Sequence, residues 1–259
     1  MDSAVVTGAG RGIGRAIAEL LVGRGYAVVV TDVDGAAARR TAGEIGAAAA
    51  LEHDVRDEAS HTVVAAEAAR LGNLTVWVNN AGVGHDGTLT GVRSAHVDAL
   101  VDVNLKGVLW GLRAALGAFG PAGGDVVNIA SISGLGPVPG LAVYAATKAA
   151  VVSISMSASV EAPTGVRVHA LCPDGADTAM VEAMDPDGAA KPIVHSSGRL
   201  LTAEETAAAA VGLIGSRRVV LSLPVWRGGL TRLGQLLPSQ SAGGFRAFEL
   251  LGRRVMGRR

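Results

Sequence analysis

Tyr144 and Lys148 stand four residues apart in Tyr144-Ala145-Ala146-Thr147-Lys148, a helix-compatible stretch. A phenol and an ammonium at that spacing project from one helix face, about 5–6 Å apart at Cβ. Such a pair can move protons. A free tyrosine ionises near pH 10, and an adjacent cation favours the phenolate, each unit of lowering being worth about 1.36 kcal/mol. The spacing alone is also that of an ordinary surface helix pair, so its company decides. Ser131 lies thirteen residues before Tyr144, at the expected end of a strand covering 125–131. Asn104 sits in Val103-Asn104-Leu105-Lys106-Gly107, within a long helical stretch. Ser133 is a lesser candidate for a substrate contact and reads as readily as a turn residue.

A second group of residues could hold a phosphate. The segment Thr7-Gly8-Ala9-Gly10-Arg11-Gly12-Ile13-Gly14 follows an expected strand at 4–7 and precedes a helix. Glycines there let the backbone approach a pyrophosphate that the helix N-terminus attracts. Eighteen residues beyond Gly14, a second strand ends at Asp32, where a carboxylate can hydrogen-bond both hydroxyls of an adenosine ribose. A 2′-phosphate would bring about −1.5 to −2 charges against that carboxylate, and the neighbouring Val33 offers no cation. NAD is therefore expected, with NADP as the alternative because Arg11 stands nearby.

The spacing of Gly8, Gly12 and Gly14 departs from the general G-x-G-x-x-G fingerprint and resembles that of the classical short-chain dehydrogenase/reductase family. The resemblance extends over about residues 3–180. It includes Asp54-Val55 after a third strand, Asn79-Asn80-Ala81-Gly82 after a fourth, and Val168-His169-Ala170-Leu171-Cys172-Pro173 leading to Thr178. Carried over, it implies Tyr144 as the acid/base, Ser131 polarising the substrate oxygen, Lys148 holding the nicotinamide ribose and lowering the tyrosine pKa, and Asn104 positioning a water. It further implies that Gly8, Arg11, Gly12, Ile13 and Gly14 cradle the pyrophosphate. Asp54 and Val55 would bracket the adenine, though Asp54 by itself reads as an ordinary helix N-cap. Asn80, Ala81 and Gly82 would support the cofactor. Pro173, Thr178 and the backbone near Ala176 would meet the carboxamide.

Positioning such groups takes an alternating fold. Short apolar runs recur at 4–7, 27–31, 74–79, 125–131 and 166–171 with Ala-rich stretches between them, and 47–50 is ambiguous between strand and helix. Strands of that kind are buried on both faces, so the expectation is one α/β Rossmann-type domain: a doubly wound parallel sheet of about seven strands with helices on both faces. The 259 residues, 49% of them hydrophobic and 36 of them glycine, suit a single domain over 1–228 with a C-terminal extension over 229–259. Twenty-three basic residues balance twenty-three acidic ones, leaving no global field to recruit nucleic acid. The lone Cys172 can form no internal disulfide, no charged leader precedes the first strand, and no uninterrupted apolar run reaches the 18 or so residues of a membrane span. A cytoplasmic location is expected. The six histidines show no metal-binding spacing, and each reads as a surface or packing residue; His195 alone could touch substrate, with a solvated loop position the simpler reading.

Three features depart from the family pattern or fall outside it. Asp174 follows Pro173 where the family usually has glycine, and it either tolerates a left-handed turn or modifies the nicotinamide end of the site. Residues 181–200 are rich in turn signals and suit a mobile surface loop near a ligand. After a last strand near 217–223, the usual Asp-Gly-Gly-like end is missing, which puts the usual tetramer in doubt and leaves a homodimer or homotetramer open. From Arg217 onward nine arginines (217, 218, 227, 232, 246, 253, 254, 258 and 259) face one acid, Glu249, and Phe245, Phe248, Leu251 and Val255 follow helical spacing. Such a tail could pack on this protein or a twin, cover the substrate pocket, or touch a membrane peripherally. Apolar residues at 135–143 and 180–184 favour a lipophilic secondary alcohol or ketone as substrate. The expected activity is NAD-dependent hydride transfer, with an NADPH-dependent ketoreductase or a non-catalytic dinucleotide sensor as alternatives.

Overall fold

The computed structural model describes residues 1–236 and 238–257. Arg258 and Arg259 of the basic tail lie outside them. Seven parallel strands form one sheet in the order β3-β2-β1-β4-β5-β6-β7, with β1 (Asp2–Thr7), β2 (Ala27–Asp32), β3 (Ala49–Glu52), β4 (Asn73–Asn79), β5 (Gly124–Ile129), β6 (Val166–Pro173) and β7 (Val220–Leu223). The ambiguous tract 47–50 is not helical: α2 (Gly35–Ile45) ends before it at the Gly46 cap, two residues of loop follow, and the edge strand β3 begins at Ala49. The order reverses between β1 and β4, and a doubly wound sheet opens its ligand crevice at the carboxyl ends of such strands.

Side chains alternate between two cores. Ala4, Val6, Val28, Val30, Val76 and Val78 face one side, where α1 (Gly12–Gly23) and α9 (Ala203–Val211) supply Ile17, Leu21 and Val211. Val5, Val29, Trp77 and Val126 face the other, against α3 (Glu58–Leu71), α5 (Gly107–Ala118) and α6 (Ala142–Glu161). With both faces covered, the strands read as unbroken apolar runs, which is the pattern a parallel sheet requires. The remaining wall helix beside β2 is α2 (Gly35–Ile45), capped by the Asp34 side chain on the Ala37 amide.

One acid is buried in the sheet. Burial by itself would raise the pKa of Asp125, but hydrogen bonds from His169, Arg167 and the Gly215 amide outweigh it and hold the carboxyl down at about 2. The cluster fastens β5 to β6 and to the turn before β7. By length and composition α6 could cross a bilayer; here it buries Val151, Val152 and Ser155 and packs against β6.

Two regions differ from expectation. The fifth strand stops at Ile129, and Ser131 instead caps a short 3-10 turn over Ile132–Leu135, accepting from the Ser133 amide. The stretch 181–200 is no bare surface loop: α7 (Ala179–Glu182) and α8 (Ala190–His195) form within or beside it, and Ala190, Pro192, Ile193 and His195 are buried. Last come two C-terminal helices, α10 (Val225–Leu236) and α11 (Pro238–Met256). The second packs on α8 so closely that a Cβ at Gly252 would strike the Pro192 carbonyl.

Candidate active site

The crevice at the sheet reversal opens into a cleft of about 690 Å³, a size suited to a cofactor or drug-sized ligand. Every catalytic and cofactor-binding residue expected from the sequence lines it except Asn104. At the N-terminal end, Gly8 and Gly12 take φ values of +62° and +58°, a region that side chains with a Cβ rarely enter. The two glycines are needed for different reasons. A Cβ on Gly8 would come within 2.7 Å of Ala81 Cα, whereas a Cβ on Gly12 would meet nothing within 4 Å. The ground before Gly12, at the N-terminus of α1, is therefore open, and the glycine turn around it has the form of a cradle. No acidic residue sits in that first turn, and Arg11, exposed, takes the N-cap position without a side-chain cap bond.

The cradle is held from β4. Asn80 donates through Nδ2 to the carbonyls of Thr7 and Gly8, both at 2.9 Å, while the Thr7 hydroxyl accepts from the amides of Asn80 and Ala81. Asp32 closes the other side. Its Oδ2 accepts from the Gly10 amide at 2.9 Å and its Oδ1 from the Asp34 amide at 3.1 Å. A carboxylate has about four acceptor positions, so each oxygen keeps one for a ligand hydroxyl.

Further along, Asp54 is bound by Arg56 through Nε and Nη2, and this guanidinium, helped by the Arg56 amide, holds the Asp54 carboxyl below the usual range. It does not cap α3, whose N-cap is Asp57. His53, which sequence reasoning gave no site role, also lines the cleft, with its ring bonded to the Thr31 hydroxyl and burial pushing its pKa down to about 3.

At the far end Ser131, Tyr144 and Lys148 meet. The Ser131 hydroxyl accepts from Ser133 Oγ at 2.9 Å and lines the same end of the cleft as the Tyr144 phenol. Lys148 Nζ is 5.8 Å from the Tyr144 ring centroid and donates to the Ile129 carbonyl at 2.9 Å. The electrostatics differ from the expectation. Burial raises the Tyr144 phenol to about 12, the lowering influence of the neighbouring Ser131 side chain recovering only part of that, and burial lowers Lys148 to about 8. Desolvation penalises both charged forms.

Asn104 stands behind this group rather than in it. It is fully buried in a π-helical turn over Asp102–Lys106 between α4 (Ser94–Val101) and α5, a local widening that often accompanies a functional site. Its side-chain amide is occupied: Nδ2 donates to the Val83 carbonyl, and Oδ1 accepts from the Val83 amide. A Cβ on Gly82 would sit 3.2 Å from Asn104 Oδ1 and 3.6 Å from Lys148 Nζ, so the three residues pack as one unit.

The family model described as short chain dehydrogenase matches residues 2–188. The chain belongs to the short-chain dehydrogenase family. It is 34% identical over 230 residues, 85% of this chain and 91% of the relative, to the 3-beta-hydroxysteroid dehydrogenase of Comamonas testosteroni. Among solved structures it is similar to the 3-ketoacyl-(acyl-carrier-protein) reductase of Brucella melitensis complexed with NADH, at a TM-score of 0.76 and 33% identity, covering 85% of this chain and 96% of that one. It is also similar to a point variant of the actinorhodin polyketide ketoreductase with NADPH, at a TM-score of 0.78 and 28% identity, covering 88% of this chain and 97% of that one. As a short-chain dehydrogenase it is an oxidoreductase acting on alcohol or ketone groups.

At the substrate end of this dehydrogenase the C-terminal tail takes one of the places its sequence left open, beside the pocket. Arg227, Leu230 and Thr231 of α10 and Phe245 and Phe248 of α11 line the cleft beside Met184 and Ile193. The C-terminal extension is thus a wall of the site. Asp174 takes no left-handed turn, since no described non-glycine residue has positive φ. Its Oδ2 lies 3.0 Å from Arg227 Nε, in an ion pair whose side chains are 4% and 8% exposed. Burial raises the Asp174 pKa in spite of the adjacent guanidinium. Arg227 also donates through both terminal nitrogens to Ser196 Oγ, and its guanidinium lies over the Phe248 ring, 5.5 Å from the centroid. His195 is buried on α8 and bonded to the Lys191 carbonyl, neither solvated nor lining the cleft. For the ion pair itself the one signal is the departure at Asp174, and its partner lies 53 residues away.

Proposed function

We propose that this dehydrogenase uses NAD to interconvert a lipophilic secondary alcohol and its ketone, with Tyr144 as the acid/base. The observation that carries the reading is the meeting of Ser131, Tyr144 and Lys148 at one end of a cleft whose other end holds Asp32 and the open ground before Gly12. The glycine cradle and the free acceptor positions of Asp32 fit a dinucleotide, which when bound supplies the hydride donor or acceptor.

Tyr144 exchanges a proton with the substrate oxygen, and Ser131 orients that oxygen by hydrogen bonding. Lys148 brings a buried cation to the phenol. Because that phenol begins near 12, the electrostatic work asked of Lys148 and the bound ligands is larger than a surface tyrosine would need. Asn104 acts from behind, fixing Val83 and Gly82 so that the Lys148 ammonium keeps its position. Pro173 and Thr178 close the nicotinamide end. The apolar side chains of Met184, Ile193, Leu230 and Phe248 suit a hydrophobic substrate, and the reduced, buried Cys172 suits the cytoplasm.

The preference for NAD rests on Asp32, which faces the cleft with no cation at Val33. An NADP-linked reading draws on Arg11 and Arg56, both at the cleft; Arg56, however, is committed to Asp54. The test is turnover of wild type and Tyr144→Phe with NAD and NADP over a panel of lipophilic secondary alcohols. Wild type should favour NAD, and Tyr144→Phe should lose about 10²–10⁴-fold in kcat while binding NADH as before. Asp32→Ser should erase the preference. Equal use of both cofactors by wild type would refute the NAD assignment, and tight NADH binding without turnover would favour a non-catalytic dinucleotide sensor.

A further inference from the structure

Helix α10 is built inside out. At 100° per residue, Val225, Leu236, Leu233, Trp226 and Leu230 occupy one continuous face, and Arg227, Gly228 and Thr231 occupy the opposite one. The polar face is the inward one: Arg227 and Gly228 are buried, and Arg227 and Thr231 reach the cleft. The apolar face is the outward one, with Leu236 75%, Val225 64%, Leu233 62% and Trp226 60% exposed. Single exposed leucines are ordinary, but a whole apolar helix face turned to solvent marks an interaction site. Its partner α11 is conventional inside, where Phe245, Phe248 and Gly252 face the protein, and carries exposed Arg246, Arg253 and Arg254 with Leu250 and Leu251 outside.

Charge identifies what covers this face. The chain is neutral as a whole, yet its charge is divided: from Arg217 on there are nine arginines and one acid, whereas the preceding 216 residues hold fourteen basic and twenty-two acidic side chains. A basic, leucine-rich and tryptophan-bearing surface on an otherwise acidic body is attracted to an anionic plane and oriented by it, the extension toward the plane and the body away. A second copy of the chain fits less well. A two-fold contact through this face would bring the exposed Arg232, Arg246, Arg253 and Arg254 of one protomer towards the same residues of its twin.

We infer that α10 and α11 form a peripheral docking surface for membranes containing anionic lipid, with Val225, Trp226, Leu233 and Leu236 entering the interface and Arg232, Arg246 and Arg254 meeting the headgroups. Leu230, Phe245 and Phe248 of the same helices line the cleft, so docking sets the substrate chamber beside a reservoir of lipophilic molecules. The inference goes beyond the proposed reaction, and its readout is independent of turnover.

The test is flotation of the full-length protein with vesicles of phosphatidylcholine alone and of phosphatidylcholine mixed with phosphatidylglycerol. Wild type should float only with the anionic vesicles and be released by salt. Leu233→Asp with Leu236→Asp should abolish flotation, and Arg232→Glu with Arg246→Glu should weaken it by at least about tenfold, all variants keeping wild-type NADH affinity as the check on folding. Failure of wild type to float with either vesicle, or equal flotation with both, would overturn the inference. So would a concentration-dependent dimer in wild type that Leu233→Asp dissociates without any effect of lipid, since the face would then belong to a second copy.

Discussion

The two ends of the cleft are made in different ways. The dinucleotide end is assembled from the backbone of neighbouring strand ends: two glycines in left-handed conformation, Asn80 bridging carbonyls of Thr7 and Gly8, and Asp32 tied to the Gly10 amide. The substrate end is assembled from side chains that arrive from distant parts of the chain, with Asp174 after β6, Ser196 after α8, Arg227 on α10 and Phe248 on α11. A backbone site is set once the sheet forms. A side-chain site depends on each helix docking, so a single substitution can release it.

The largest effect should follow from Arg227→Met. It leaves the buried Asp174 carboxylate without its counter-charge, and breaking a buried pair from one side costs about 3–5 kcal/mol. The loss should appear at neutral pH as a lower melting temperature and as early proteolysis within α10 and α11. Replacing both partners, with Asp174→Asn and Arg227→Met, should recover most of it. The sign with pH follows from burial, which already raises the Asp174 pKa with Arg227 in place and must raise it further without it. An acid whose folded pKa lies above its unfolded value penalises the fold when ionised, and the penalty is relieved as pH falls through the raised pKa. The variant should therefore gain on wild type as pH falls from neutrality towards the unfolded value near 3.9. If Arg227→Met melts like wild type at neutral pH, the extension is held by apolar packing and the contrast between the two ends fails.

The same contrast explains what the sequence can tell. The glycine turn, Asp32, Ser131, Tyr144 and Lys148 are local motifs whose spacing is imposed by one strand, one turn or one helix, so they are legible without the fold. The sheet is legible because burial on both faces leaves unbroken apolar runs. Asp174 stands out only as a residue unlike the family's glycine, since nothing local connects it to Arg227. Residues 181–200 read as loop because their turn signals are real, and the burial of Ile193 and His195 comes with the packing of α8 on α11, which local pattern does not reveal. The protonation of Tyr144 escapes the sequence for a related reason: spacing reports the nearness of Lys148 but not the depth at which both groups lie.

A smaller effect, of opposite sign, should come from Lys148→Met. Burial lowers the lysine to about 8, so in the folded protein its charged form is penalised. A base with a depressed folded pKa destabilises the fold below that pKa, and the penalty fades as pH rises from about 8 to the unfolded value near 10.4. Lys148→Met should therefore raise stability at pH 7 by about 1–3 kcal/mol, the orphaned Ile129 carbonyl taking back part of the gain, while turnover is lost. The stability gain should shrink above pH 8 and vanish by about pH 10.5. A variant less stable than wild type at pH 7 would mean that the hydrogen bond to Ile129 outweighs desolvation, and that Lys148, like Arg227, is a side-chain tie on which the far end of the cleft depends.

The smallest effect separates the ends most directly. Phe248 lines the substrate end from α11 and stacks on Arg227, and it has no part in the dinucleotide cradle. Phe248→Ala should remove apolar contact worth about 1 kcal/mol of binding, the order expected for a partly filled hydrophobic wall. KM for lipophilic alcohols should rise about three- to tenfold, with NADH affinity unchanged and kcat nearly so. Gly12→Ala should do the reverse, weakening NADH through its left-handed backbone and leaving the substrate wall intact. If Phe248→Ala weakens NADH and alcohol alike, the extension governs the whole cleft, and the two ends are one cooperative unit whose order is set at the C-terminus.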